Sequence, residues 1–528
     1  MRGRGSRILR STAVIIASSL AVSGVGFLKN VLAAYYFGTS GAMDAYLLAL
    51  LLPDMVMYLA LTGSFTFIPL FAEARAASEE EGWAAAGKMI TYWLLLLAVG
   101  LGIATFFTPE LTSVLAPGFA GLQRERTIEM SRILLLMSGS VAVARVMALS
   151  LYAQSKFVVA SVSETLFQVA STVYLVAFWS HGISALVWGM VFGSFVQLLV
   201  VAIGLWDRRR QLRISFDLRA PAVRKMVKLI LPVYVGNSAG QLNAVVNRAF
   251  ASLLPAGAIS SLQYSAMLAE APISVVASSL TSAIFPFLSK QYAEKKSSQA
   301  QADVVRALVA MLVLFLPLAA GVFLLAKPLV QLLLQRGSFD AHSTHLTSTA
   351  LRIYALGIVA MALNRVMPAA FQARQNTMVP MQAGLLRIAG NALICVLLVP
   401  RIGHLGVATA AVVSEHLKLA MLFMRLRTRL FEGKGGALLQ AVPRLFAAVA
   451  VMAVVVFAAT GLLPGTLRWG VRGPLSLLAV VCLGVVCYGA ALFVLCREDF
   501  LYYARRLLRE LPAPLRRREG DTASRATS

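Results

Sequence analysis

Apolar residues along this chain come in long runs separated by short polar stretches. The runs lie near 12–37, 44–72, 89–108, 129–153, 157–180, 183–205, 226–254, 260–288, 305–326, 346–373, 377–399, 404–424, 442–463 and 474–496. A hydrocarbon core of about 30 Å is crossed by roughly 20 apolar residues of helix, so each run predicts one span. The pattern predicts an all-α integral membrane protein with about 14 transmembrane helices. The first run follows an Arg-rich start and imitates a secretory signal peptide. It continues past a normal apolar region of that kind and carries Lys29, which predicts a retained first helix.

A repeat organises these spans. "TPELTSVLAPGFAGLQRERTIEMSRILLLM" after the third span and "AKPLVQLLLQRGSFDAHSTHLTSTALRIYAL" after the ninth share one plan: Pro, an amphipathic turn, Gly, a polar loop, then a new apolar helix. An offset of about 220 residues also pairs "ALSLYAQSKFVVAS" with "PAAFQARQNTMVPM" and "FIPLFAEA" with "IFPFLSKQ". The unit is six spans, and an even number gives both copies the same orientation, so the repeats are parallel and leave a central cleft between two bundles. The last two spans stand outside the repeat. The predicted organisation is an N-lobe over 1–215, a C-lobe over 216–430, two additional helices over 431–500 and a basic cytoplasmic tail over 501–528.

Composition agrees: 59% of residues are hydrophobic and 13% charged, with a formal net charge of +25. The placement of that charge excludes a nucleic-acid role, because no soluble basic domain carries it. Arg2, Arg4, Arg7 and Arg10, the "DRRRQLR" loop, Lys290, Lys295, Lys296, "RLRTRL" and the tail all fall on one side, and the other side holds a few scattered basic residues. By the positive-inside rule both termini are cytoplasmic.

Ionisable residues inside spans are expensive and should face a bundle interior or water. They are Lys29, Asp44, Asp54, Arg145, Glu164, Arg248, Glu270, Arg352, Arg365, Arg387, Glu415 and Lys418. A hydrophilic central cavity accounts for so many. Lys29 lies on a face with Gly26, Ala33 and Tyr36 and has two readings, a cavity wall or an internal pair with Asp44 or Asp54. Asn237, Gln241 and Arg248 form a polar stripe on the seventh span, flanked by Asn243 and Asn247. Glu270 beside Pro272, and Asp54 beside Pro53, predict corresponding interrupted helices in the two halves. Glu415 and Lys418, three apart on one helix, are expected to pair, and Asp44 and Arg352 lie near span ends, within reach of water.

Covalent chemistry has no support. The outside loops are short, their histidines are scattered, and no metal-ligand or nucleophile constellation is present. Cys395, Cys482, Cys487 and Cys496 fall in apolar runs as small hydrophobes. No cofactor is called for, and the sequence does not specify whether a coupling ion or the membrane potential drives transport.

"LAPGFAG", "VVNRAFASLLPAGAISSLQYSAMLAEAP", "SSLTSAIFPFLSK", "FQARQNTMVP" and "VPRIGHLGVATA", in this order and spacing, resemble the MurJ (MviN) family over roughly residues 10 to 430. That family belongs to the multidrug/oligosaccharidyl-lipid/polysaccharide exporter superfamily, and its characterised members flip lipid II across the bacterial inner membrane. The resemblance implies two six-helix lobes, a cationic central cavity and a lipid groove at the two additional helices. It also exposes departures: where family members usually carry arginines thought to contact the diphosphate, this chain has Ser23, Met57 and Met267, and Thr62 stands at an acidic position. Lys29 remains in the first helix, with Asp44 and Glu270.

The expectation is therefore a transporter, not an enzyme, in the bacterial inner membrane. It would flip a polyprenyl diphosphate-linked glycan of the lipid II type for peptidoglycan synthesis by alternating access. The cavity residues expected to bind substrate are Lys29, Asp44, Asp54, Asn237, Gln241, Arg248, Glu270 and Arg365. The missing arginines leave a flippase for an exopolysaccharide or O-antigen-type oligosaccharide as an alternative, and a cation-coupled multidrug exporter is the rival of another class. Expected partners are the lipid-linked substrate, membrane lipids and proteins of cell-wall or polysaccharide synthesis.

Overall fold

A computed structural model describes residues 2–154, 156–208, 217, 239–430, 436–462 and 472–495. All regular secondary structure among the described residues is helical. The first half contains α1 (Arg2–Phe37), α2 (Gly41–Ala49), α3 (Leu51–Ala77), α4 (Glu79–Phe106), α5 (Thr108–Leu115), α6 (Gly121–Ala153), α7 (Phe157–Ala177) and α8 (Ile183–Gly204). The second contains α9 (Ala239–Ser252), α10 (Ala258–Ala293), α11 (Ser297–Leu324), α12 (Ala326–Leu333), α13 (Ala341–Gln372), α14 (Met378–Ile402) and α15 (His404–Leu430), followed by α16 (Gly436–Leu462) and α17 (Arg472–Leu495). Thirteen helical segments among the described residues are long and apolar enough to cross a membrane. The seventh expected span is represented by α9 alone, because its first half lies outside the described residues, as do Asn237 and the 501–528 tail.

The duplication read from motifs recurs in the helix lengths. The run α4, α5, α6 measures 28, 8 and 33 residues, and α11, α12, α13 measures 28, 8 and 32. In the first half α7 packs on α8 and α1, α6 on α8, and α3 on α4 and α6. In the second, α14 packs on α15, and α10, α11 and α15 pack on α13. The additional pair α16 and α17 packs together and against α11, where Leu445, Met452 and Tyr488 meet Leu316, and the Tyr488 hydroxyl donates to the Val313 carbonyl at 2.8 Å. Their outer faces expose Val454, Phe457, Val485 and Val494, an apolar surface that lipid can cover.

Proline treats the two corresponding helices differently. Pro53 is the third residue of α3, and the chain breaks from α2 at Leu50. A proline lacks the N–H for the carbonyl four residues back and crowds it; here that carbonyl, on Ala49, accepts instead from Ser131 Oγ at 3.3 Å. The equivalent α10 runs unbroken through Pro272 and Pro286. The interruption expected at Pro272 is thus absent: the rest of the intrahelical ladder, packed on α13, carries the helix past the one missing donor.

The two halves are joined at one end. Ser338 N donates to the Tyr35 carbonyl at 2.8 Å, the hydroxyls of Thr39 and Ser343 lie 2.8 Å apart, and Gly118 N donates to Ser252 Oγ at 3.2 Å. All three contacts lie where α1 ends and where α2, α6, α10 and α13 begin, so this end forms a seal between the halves.

Candidate functional site

The seal is built around Asp44. It is 2% exposed, and its carboxylate accepts from Gly257 N at 2.7 Å and from Ser260 N at 2.8 Å. A carboxylate from α2 therefore caps the N-terminus of α10 in the other half, where free N–H groups and the helix dipole favour negative charge. Gly257 permits the approach, since it has φ +95° and a Cβ there would lie 2.8 Å from the Thr39 carbonyl. The expectation for Asp44 was a cavity wall or a snorkelling position near water. The structure corrects the placement: both carboxylate oxygens are taken by backbone donors inside the seal. Nearby, Asp340 caps α13 by accepting from Ser343 N at 2.7 Å. That bond holds the Asp340 carboxyl below the usual carboxylate range, so the cap is ionised at neutral pH.

Below the seal, Arg248 on α9 crosses to the first half and donates to the Leu47 carbonyl at 2.9 Å. The break between α2 and α3 leaves that carbonyl free for it. Asp54 and Tyr46 lie within electrostatic reach of the guanidinium. Gln241 stands two helical turns before Arg248 on the same face, partly exposed. The flanking asparagines point elsewhere: Asn391 Nδ2 on α14 donates to Asn247 Oδ1 at 2.7 Å, and Asn243 is buried. The polar stripe is thus divided, one edge serving the joint between halves and the other the interior of the second half.

Lys29 is 7% exposed on α1 and turns toward α7 and α8. Its Nζ donates to Gln168 Oε1 at 3.0 Å, lies 3.0 Å from Met190 Sδ and sits 5.6 Å from the centre of the Phe167 ring. It forms no ion pair with Asp44 or Asp54. One amide oxygen, a weak thioether acceptor and an aromatic face are a poor exchange for water around an ammonium group.

The second half holds a separate charged group. Arg387 on α14 donates to Glu415 Oε1 on α15 at 2.6 Å, and Asn364 Nδ2 on α13 donates to Glu415 Oε2 at 2.7 Å and to its carbonyl at 2.9 Å. The expected Glu415–Lys418 pair is replaced by these contacts between helices. A guanidinium offers a fixed fork that suits a carboxylate better than an ammonium does. Lys418 stays within electrostatic reach of Glu415, Arg387 and Arg365. Glu270 on α10 is exposed and interacts electrostatically with Arg365 first, then with Glu415 and Arg387.

The expected residues therefore separate into four places. Asp44 is in the seal, Asp54, Arg248 and Gln241 lie just beneath it, and Glu270 and Arg365 line the second half, with Lys29 held apart in the first. Arg387 and Glu415 were visible as charges in spans but their pairing was not. Of the substituted positions, Ser23 on α1 is exposed, and Met57 on α3 and Met267 on α10 are partly exposed.

Comparison with known proteins agrees with this arrangement. The family described as lipid II flippase MurJ matches residues 33–473. A probable lipid II flippase MurJ of Rhizobium meliloti is 28% identical over 507 residues, covering 92% of this chain and 92% of that protein. The lipid II flippase MurJ of Burkholderia cenocepacia is 26% identical over 436 residues, covering 80% and 84%. Among solved structures, a lipid II flippase MurJ in an inward closed conformation superposes with TM-score 0.76 at 18% identity, over 92% of this chain and all of that one. An inward-facing MATE-family multidrug resistance transporter of the MOP superfamily gives TM-score 0.64 at 19% identity, over 79% of this chain and 98% of that one. These likenesses at low identity establish the shared fold. With the family match spanning most of its length, this chain, a multi-pass membrane protein, belongs to the MurJ lipid II flippase family.

Proposed function

We propose that this protein flips lipid II, a polyprenyl diphosphate-linked glycan, across the bacterial inner membrane without covalent chemistry. The observation that carries the reading is the joint between two repeated bundles, where Asp44 caps α10 from the other half, with charged side chains below it; it supports a cleft closed at that end. The bulky head group passes between the bundles, and the polyprenyl tail stays in the bilayer beside α16 and α17. Alternating access then consists of opening the Asp44 seal while the opposite end closes.

The distribution of basic residues supports an orientation in which both termini are cytoplasmic and the sealed end faces outward. The arrangement seen is then one closed toward the outside. In this reading residues 1–215 and 216–430 are the two moving lobes and 431–500 flanks the second. Lys29, Asp54, Gln241, Arg248, Glu270 and Arg365 serve the substrate, and Asp44 serves the gate. Proteins of cell-wall synthesis would deliver and receive the lipid.

Gln241 offers a direct test. With a photoreactive residue in its place, the protein in intact cells should capture lipid II on illumination. Capture of a lipid-linked polysaccharide repeat with no lipid II would overturn the assignment and favour the exopolysaccharide or O-antigen-type reading, to which the loss of arginines at Ser23, Met57 and Met267 also points.

A further inference from the structure

The second half contains two cations with nothing to hold. Arg365 makes no hydrogen bond or ion pair with any other described residue, and neither does Lys418; the charges near Lys418 are Glu415, Arg387 and Arg365. Glu415 carries one charge for three cations, and its oxygens already accept from Arg387 and Asn364. Among the described residues, Glu270 is left as a carboxylate facing Arg365.

Arg365 does not point into lipid. Tyr354, Ile358 and Arg365 share one face of α13, since seven and eleven residues are close to two and three turns. Tyr354 is 6% exposed and Ile358 is fully buried, yet Arg365, two turns beyond Ile358, is exposed. The inward face of α13 therefore opens to water at this depth. Glu270 lies near Tyr354 on the facing helix. A guanidinium has five donors in a fixed fork that fits phosphate oxygens, and an ammonium adds a point charge.

We propose that Arg365 and Lys418, positioned above the Arg387–Glu415 pair, form an anion subsite in the second half of the cleft that takes a phosphate of the carried lipid head group. The proposal rests on the flippase reading and deepens it. Arg365 and Lys418 on α13 and α15 would supply cations where arginines at Ser23, Met57 and Met267 are missing, beside the single cation Lys29 that α1 keeps. Glu270 is the counter-charge that Arg365 keeps when no phosphate is there, and the Arg387–Glu415 pair fixes the spacing of α14 and α15 beneath it.

The test uses the purified full-length protein and two probes, inorganic pyrophosphate and undecaprenyl diphosphate. Arg365→Gln breaks no hydrogen bond or ion pair with a described residue and leaves Glu270 exposed to water, so it should remain folded while binding both probes about tenfold more weakly or worse, the size of one charge-assisted hydrogen bond. Lys418→Gln should weaken both, Arg365→Lys should lose less than Arg365→Gln, and pyrophosphate should compete with the lipid. If Arg365→Gln binds undecaprenyl diphosphate as well as the unaltered protein does, the subsite is wrong. Weakened pyrophosphate binding with unchanged lipid binding also overturns it, assigning the site to free phosphate. If the unaltered protein binds neither undecaprenyl diphosphate nor lipid II, the flippase reading itself fails and takes this inference with it, a result distinguishable from the other two.

Discussion

Asp44→Ala is expected to leave the protein folded in the membrane and to stop transport. Asp44 supplies two charge-assisted bonds across the seal, to Gly257 N and Ser260 N. Hydrogen bonds to charged groups contribute about 1.5–3 kcal/mol each, so the seal loses about 3–6 kcal/mol. Moving a two-state equilibrium from 1:99 to 99:1 takes about 5.5 kcal/mol, which makes this loss large enough to repopulate the molecule toward states open at the sealed end. Asp44→Asn keeps one acceptor oxygen and should fall between. Spin labels at Leu122 and Leu253, both exposed at that end, would read the change: a longer distance in Asp44→Ala is the expected result. An unchanged distance with normal transport would show that the Asp44 cap does not gate the cleft.

The second large effect is at Lys29. Its ammonium is enclosed by Gln168, Met190 and Phe167 with no carboxylate partner among the described residues, an arrangement that costs desolvation and recovers little unless an anion completes it. Lys29→Ala should reduce lipid translocation about tenfold or more, the size of one charge-assisted contact. Lys29→Arg should preserve much of the activity, with protein levels in the membrane normal in both. Because no ion pair joins Lys29 to Asp44 or Asp54, pairing Lys29→Ala with Asp44→Asn or Asp54→Asn should not rescue it. Restored translocation in either double variant would contradict a substrate role for Lys29 and make it a structural counter-ion.

Membrane spans, the six-span repeat and the break before Pro53 could be read from the chain because each is a local pattern: an apolar run of fixed length, a motif at a fixed offset, a residue without an N–H. Partners of charged side chains are set by packing between helices, and local spacing misdirects there. Glu415 has Lys418 three residues away on its own helix, yet it bonds Arg387 and Asn364 on two neighbouring ones. Asp44 looked like a charge near water, but its partners are backbone N–H groups more than 200 residues later. Backbone donors carry no residue-type signature, so nothing in the sequence marks them. Gly257 permits the close approach through its positive φ, a property visible only in the structure. Lys29 was legible as an anomaly but its surroundings were not, because Gln168 and Met190 lie on helices distant in sequence.

The central claim is that this chain carries lipid II across a bilayer through the cleft that Asp44 seals. Reconstituting the full-length protein into vesicles with fluorescent lipid II, and following how fast the labelled head group becomes accessible to an impermeant quencher, tests it most directly. Vesicles with the unaltered protein should expose the inner-leaflet lipid far faster than protein-free vesicles, and vesicles with Asp44→Ala should match the protein-free rate. Equal rates with and without the unaltered protein, under conditions where it is folded and inserted, would contradict the account.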